Sequence, residues 1–148
     1  MANPFDWRGV VLAKHTQHVA LIHFPIALFT VGVLFDGIAE WTRKEVFAQA
    51  AFFNLTVAAI AVAPTVLTGI LAWQWQLEGQ RLKGVLLYHL VAGVGSGLLI
   101  VVNWWIHFRY RRESFAALPA WRLPVELVGV LVVIVTGHLG GFVSGVNG

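Results

Sequence analysis

The strongest constraint on this chain is a pattern of four mostly apolar runs, at about 18–41, 47–76, 84–108 and 122–143, separated by short polar connections. Each is as long as the ~20 residues that a helix needs to cross hydrocarbon. Inside a bilayer the backbone must satisfy its own hydrogen bonds, and a helix does so locally. The expected fold is therefore all-α, with residues 1–148 forming a single four-span transmembrane domain. Short links favour an up-down-up-down four-helix bundle with both termini on one side. Composition agrees, because only 11% of the residues are charged, against about 25% in soluble domains.

Aromatic and basic residues mark the ends of the runs. Trp41 precedes Thr42-Arg43-Lys44-Glu45, Trp73 and Trp75 precede Glu78-Gly-Gln-Arg-Leu-Lys83, and Trp104, Trp105 and Tyr110 lead into Arg111-Arg112. Such residues suit the headgroup region. Met1 to Gln17 reads as an amphipathic lead-in lying at the interface. It lacks the apolar centre and small-residue cleavage site of a signal peptide, so the first span is expected to stay in the mature protein. Arg8, Lys14, Arg81 and Lys83 lie on the side of the termini, against Arg43, Lys44, Arg109, Arg111, Arg112 and Arg122 on the other. The richer side is expected to face the cytoplasm, which puts both termini on the periplasmic side of a bacterial inner membrane. The net charge of +3 sits in these connections, and no nucleic-acid module or phosphate loop is present.

The absence of cysteine excludes disulfides, thiolate metal sites, iron–sulfur clusters and covalently attached haem c. Histidine is then the main ligand available. His18 and His23 open the first span, within His18-Val-Ala-Leu-Ile-His-Phe-Pro-Ile-Ala-Leu28; His89 lies early in the third and His138 late in the fourth. The up-and-down topology brings all four to the same side, whereas His107 falls on the other and reads as an interfacial residue. Pro25 and Pro64 lie within spans, where a missing backbone donor favours a bend.

An ionisable side chain at this depth is a functional candidate by default. Two imidazoles from facing helices can ligate the two faces of one b-type haem. His18, His23, His89 and His138 are the candidate cofactor-binding residues, with His23, His89 and His138 as the iron ligands, two per haem. His18 and His23 point about 140° apart on a helix, so they cannot serve one face of the same haem. Gly93 and Gly97 form a GxxxG pair, suited to helix packing or to a flat macrocycle. Ala61, Thr65 and Gly69 give the second span a similar small-residue face. The competing reading is a structural layer of neutral histidines, each interhelical hydrogen bond worth ~1 kcal/mol. A zinc or copper site is a third, weakened because no carboxylate, Met or Cys shares the layer.

Asp36 and Glu40, one turn apart at the other end of the first span, suit proton carriage, a quinone headgroup or plain interfacial solvation. Glu126 complements the start of the fourth helix, and Asn54 and Asn103 read as interhelical hydrogen-bonding groups. The function expected is a haem b electron-transfer subunit between the quinone pool and a periplasmic redox partner. The alternative is a cofactor-free accessory subunit anchoring a larger respiratory or photosynthetic complex. The lipid bilayer and other redox subunits are the expected partners, with homo-oligomers left open and nucleic acid excluded.

The run His18-x4-His23-Phe-Pro-Ile-Ala-Leu28, the histidine early in span three and Gly137-His-Leu-Gly-Gly141 resemble domain of unknown function 2231, over essentially the whole chain. The resemblance implies a four-span membrane domain, matching roles for His18, His23 and His89, and an association with c-type cytochromes and respiratory modules. Where such proteins tend to carry a further histidine after the double glycine, this chain has Ser144-Gly-Val-Asn147, which makes His138 the better candidate.

Overall fold

The computed structural model describes residues 16–75, 77–113 and 117–145, so most of the expected amphipathic lead-in lies outside the described residues. Four long helices account for nearly all of it: α1 (Thr16–Thr42), α2 (Glu45–Trp75), α3 (Val85–Tyr110) and α4 (Arg122–Val143). All four are long and apolar enough to cross a membrane. At 1.5 Å per residue they measure from about 33 to about 46 Å. No strand occurs among the described residues.

Local chemistry ends each helix where the apolar run stops. Arg43 adopts a left-handed φ of 57°, and its N–H closes onto the Ala39 carbonyl at 2.8 Å, leaving only Lys44 before α2 begins. That is a left-handed helix cap. After α2 the chain turns through Glu78 and Gly79, both at positive φ, and the Trp73 indole N–H donates to the Gln80 carbonyl at 2.9 Å. Both α1 and α2 continue through their internal prolines, Pro25 and Pro64.

Contacts between helices fix the direction of each. Leu21 and His18 of α1 meet Thr65 and Thr68 of α2, so the numbers fall on one helix as they rise on the other. In the same way His89, Ser96 and His107 of α3 meet Thr136 and then Glu126 of α4. Asp36 meets Arg122 while Phe29 meets Gly129, which sets α1 antiparallel to α4. The bundle is thus up-down-up-down, with one end holding the α1–α2 and α3–α4 connections and the other holding the start of α1 and the end of α4.

Its central plug consists of Phe29, Leu55, Ala58, Ile100 and Val133, with every helix contributing. Gly129 is what lets α4 close on α1, since a Cβ there would lie 2.7 Å from Phe29 Cζ. The outer surface carries Phe24, Leu34, Phe53, Ile60, Leu98 and Ile134, all well exposed. Lipid rather than water is the medium that such a surface suits.

Candidate functional sites at the two ends of the bundle

Above the plug, toward the terminus end, the four helices part around a cavity of about 560 Å³ lined by His18, Pro25, Gly69, His89, Gly93 and Gly140 among others. No Asp, Glu, Lys or Arg among the described residues lines it. Small residues make the room for each ring. A Cβ on Gly69 of α2 would stand 3.0 Å from His18 Cε1, and one on Gly140 of α4 would stand 3.1 Å from His89 Cε1. The small-residue faces of α2 and of the C-terminal turns of α4 therefore seat imidazoles. Gly93 and Gly97 of α3 instead face Thr136 at 3.8 Å and Val62 at 3.2 Å, which is helix packing.

Hydrogen bonding fixes the tautomer of both rings. His89 Nδ1 lies 3.2 Å from the Thr136 carbonyl, which can only accept, so Nδ1 carries the proton. His18 Nδ1 lies 3.2 Å from Thr68 Oγ1. That hydroxyl has the Pro64 and Thr65 carbonyls at 2.9 and 3.0 Å as acceptors for its own proton, which leaves it a lone pair able to receive the His18 Nδ1 proton. Each neutral imidazole then presents a bare Nε2, which has no hydrogen-bond partner among the described residues. Two Lewis bases, one from α1 and one from α3, share an apolar chamber.

The other two candidates are placed differently. His23 is exposed and its Nδ1 donates to the Val19 carbonyl of its own helix at 2.6 Å. His138 is exposed and meets the Phe142 ring edge-on at 5.0 Å. Neither lines the cavity.

Below the plug lies a second, charged assembly. Arg122 is 1% exposed, and its Nε donates to Asp36 Oδ2 at 2.9 Å, while Asp36 itself is fully buried. The same guanidinium donates through Nη2 to Glu40 Oε2 at 3.0 Å, and Arg43 pairs with the other Glu40 oxygen at 2.6 Å. His107, 4% exposed, places Nε2 at 2.9 Å from Glu126 Oε1 and 3.9 Å from Asp36 Oδ1. Asp36 Oδ1 has no hydrogen-bond partner, and neither do the buried Asn103 Oδ1 and Trp104 Nε1.

A family model described as Predicted membrane protein (DUF2231) matches residues 14–147. The chain belongs to this family. No curated protein and no solved structure gives a significant match. The DUF2231 match spans all four helices, and hence both the histidine cavity and the charged assembly.

Two sequence expectations for this DUF2231 chain need correction. His107 is no interfacial residue: it is buried between α1 and α4, because its height on α3 is also that of Asp36 and Glu126. Asp36 is likewise shut away from solvent by the Arg122 side chain. The signal was present in the sequence, as Asp36/Glu40 and Arg122/Glu126 are both i,i+4 pairs that put two polar groups on one helix face. Asn54 and Asn103, expected to bond between helices, turn their amide N–H back to the carbonyls of Ala50 and Leu99, each at 2.8 Å.

Proposed function

We propose that this DUF2231 protein is a membrane b-type haem carrier in which His18 and His89 are the axial ligands. The observation that carries the reading is the pair of imidazoles from separate helices that line one cavity, with no charged residue among the described lining and each ring held through its Nδ1. Hydrogen bonding of the distal ring nitrogen is the usual support for a metal-ligating histidine. A volume of about 560 Å³ lies within the range of cofactor pockets. With no cation among the described lining residues, the propionates of a haem would extend toward the headgroup region.

Bound haem would supply one-electron chemistry at a potential set by its ligands and by the low dielectric of the site. What the chain contributes is the two nitrogens, their orientation through Thr68 and Thr136, and the exclusion of water by the plug below. A zinc or copper site in the same cavity has less support, since only two imidazoles and no carboxylate line it and such sites take three or four protein ligands. The six-to-four distribution of Lys and Arg favours a periplasmic cavity in a bacterial inner membrane, which suits transfer between the quinone pool and a periplasmic redox partner.

Visible spectra of the purified protein, oxidised and then dithionite-reduced, test the reading. The expected result is a Soret band that shifts on reduction, a narrow α band and stoichiometric iron. His18→Ala and His89→Ala should each abolish the low-spin spectrum, while His23→Ala and His138→Ala keep it. A colourless protein, or a spectrum that survives loss of both His18 and His89, overturns the assignment and favours an accessory, cofactor-free subunit.

A further inference from the structure

We propose that Asp36, His107 and Glu126 form a binding site for one borderline divalent metal ion of the Zn²⁺ type, separate from the histidine cavity and at the opposite end of the bundle. Three helices supply one ligand each, Asp36 from α1, His107 from α3 and Glu126 from α4, with one ligand atom of each within 4.8 Å of those of the other two. His107 Nε2 lies 2.9 Å from Glu126 Oε1 and 3.9 Å from Asp36 Oδ1, separations that an ion about 2.0–2.2 Å from each atom can bridge. Those are coordination distances for zinc with nitrogen and oxygen ligands. One imidazole with two carboxylates, and no sulfur, suits a borderline ion better than the soft Cu(I) or the all-oxygen shells of Mg²⁺ and Ca²⁺.

The unpartnered Asp36 Oδ1 decides between a metal and a simple ion-pair network. Asp36 is fully buried, and a carboxylate oxygen with no donor at that depth is costly. Charge points the same way. Arg122 is divided between Asp36 and Glu40, so with His107 neutral the carboxylates of the assembly outnumber its guanidinium groups. One proton shared by His107 and Glu126 would correct the charge yet leave Asp36 Oδ1 bare. A divalent cation turns that single negative excess into a single positive one and, unlike the proton, ligates that oxygen.

The remaining requirements of a metal site are an oriented ligand and a way in. Arg122 Nε holds Asp36 by Oδ2, which leaves Oδ1 toward His107. On its other side His107 lines a separate polar cavity of about 460 Å³ with Glu45, Gln49, Tyr110, Arg111 and Glu113. Glu45 and Glu113, with Arg111 beside them, can draw a cation into that cavity next to the imidazole.

Zinc content and affinity of the full-length purified protein test the proposal, with free Zn²⁺ buffered by a chelator. Wild type should take up one equivalent. Asp36→Asn, His107→Gln and Glu126→Gln should each weaken that uptake at least ~10-fold, and the His18→Ala/His89→Ala variant should keep it. X-ray absorption of the zinc-loaded wild type needs no variant: the expected shell is nitrogen and oxygen at about 2.0–2.1 Å with outer scattering from a single imidazole. Absence of a stoichiometric equivalent in wild type overturns the site, as does unchanged uptake by all three ligand variants. Loss of uptake in the His18→Ala/His89→Ala variant, or two imidazoles in the spectrum, would assign the zinc to the cavity and overturn it too.

Discussion

Removing the Arg122 guanidinium should cost far more stability than removing Glu40, although both take part in the same ion-pair network. Arg122 and Asp36 are both within 1% of complete burial, and Asp36 Oδ2 has the Arg122 Nε at 2.9 Å. Arg122→Met keeps the apolar stem and strands the Asp36 carboxylate with only His107 near, at 3.9 Å from its other oxygen. Breaking one partner of a buried pair costs about 3–5 kcal/mol. The Arg122 Nη1 also donates to the Pro119 carbonyl at 3.3 Å, so the α3–α4 connection loosens as well. Glu40 is 31% exposed at its side chain, and Arg43 can turn to solvent, so Glu40→Gln should cost no more than about 1 kcal/mol.

The companion change is Asp36→Asn in the Arg122→Met background. Once the cation is gone the anion is the liability, so neutralising it should return part of the lost stability, with a coupling of about 2–3 kcal/mol between the two sites. Reversible unfolding in mixed detergent and SDS micelles, followed by the fluorescence of the seven tryptophans, measures all four corners of the cycle. If Arg122→Met costs no more than Glu40→Gln, or if the double variant is merely additive, the pair is not the buried contact described and the reasoning fails.

Four further outcomes are expected. Gly129→Ala places its methyl 2.7 Å from Phe29 Cζ and 3.0 Å from Cε1, in the fully buried plug, and should destabilise by about 1–3 kcal/mol; Gly37→Ala, with nothing within 4 Å, should be neutral or gain up to ~1 kcal/mol from helix propensity. Near His89, Gly140→Ala puts a methyl 3.1 Å from Cε1 and, on the haem assignment proposed above, should shift the electron paramagnetic resonance signature of the haem-loaded protein; Thr136→Val should leave that signature in place and cost only ~1 kcal/mol of stability, because it removes the 2.8 Å Ser96 hydroxyl contact and spares the carbonyl that holds the imidazole.

The four helices were legible because their signal is long and repeated. Runs read at 18–41, 47–76, 84–108 and 122–143 correspond to helices at 16–42, 45–75, 85–110 and 122–143. The common height of His18 and His89 was legible as well, since chain direction and rise per residue fix height. What the sequence does not fix is rotation about each helix axis. His18 and His23 differ by about 140°, and which one turns inward depends on Thr68 and Gly69 of the neighbouring helix. On α4 it is Thr136 and Gly140, one turn apart, that face His89, which carries His138 round to the exposed side. His107 has no histidine at its height, and its partners there are a carboxylate from α1 and another from α4, so the histidine pattern alone does not mark it.

The two ends of the bundle obey opposite electrostatic rules, and the plug between them is what allows this. Asp36 lies eighteen residues beyond His18 on α1, and His107 lies eighteen beyond His89 on α3. That is about 27 Å along each helix. Phe29, Leu55, Ala58, Ile100 and Val133 fill the interval with apolar side chains. A mobile charge cannot rest in such a layer without losing its solvation. The cavity end can therefore keep neutral imidazoles with exposed lone pairs, although carboxylates and guanidinium groups crowd the other end. Were the plug wet, the lone pairs of His18 and His89 would bond water, and the Asp36 carboxylate would be solvated without Arg122. The two ends thus share a dry layer and no residue, and that layer closes where Gly129 leaves room for the Phe29 ring.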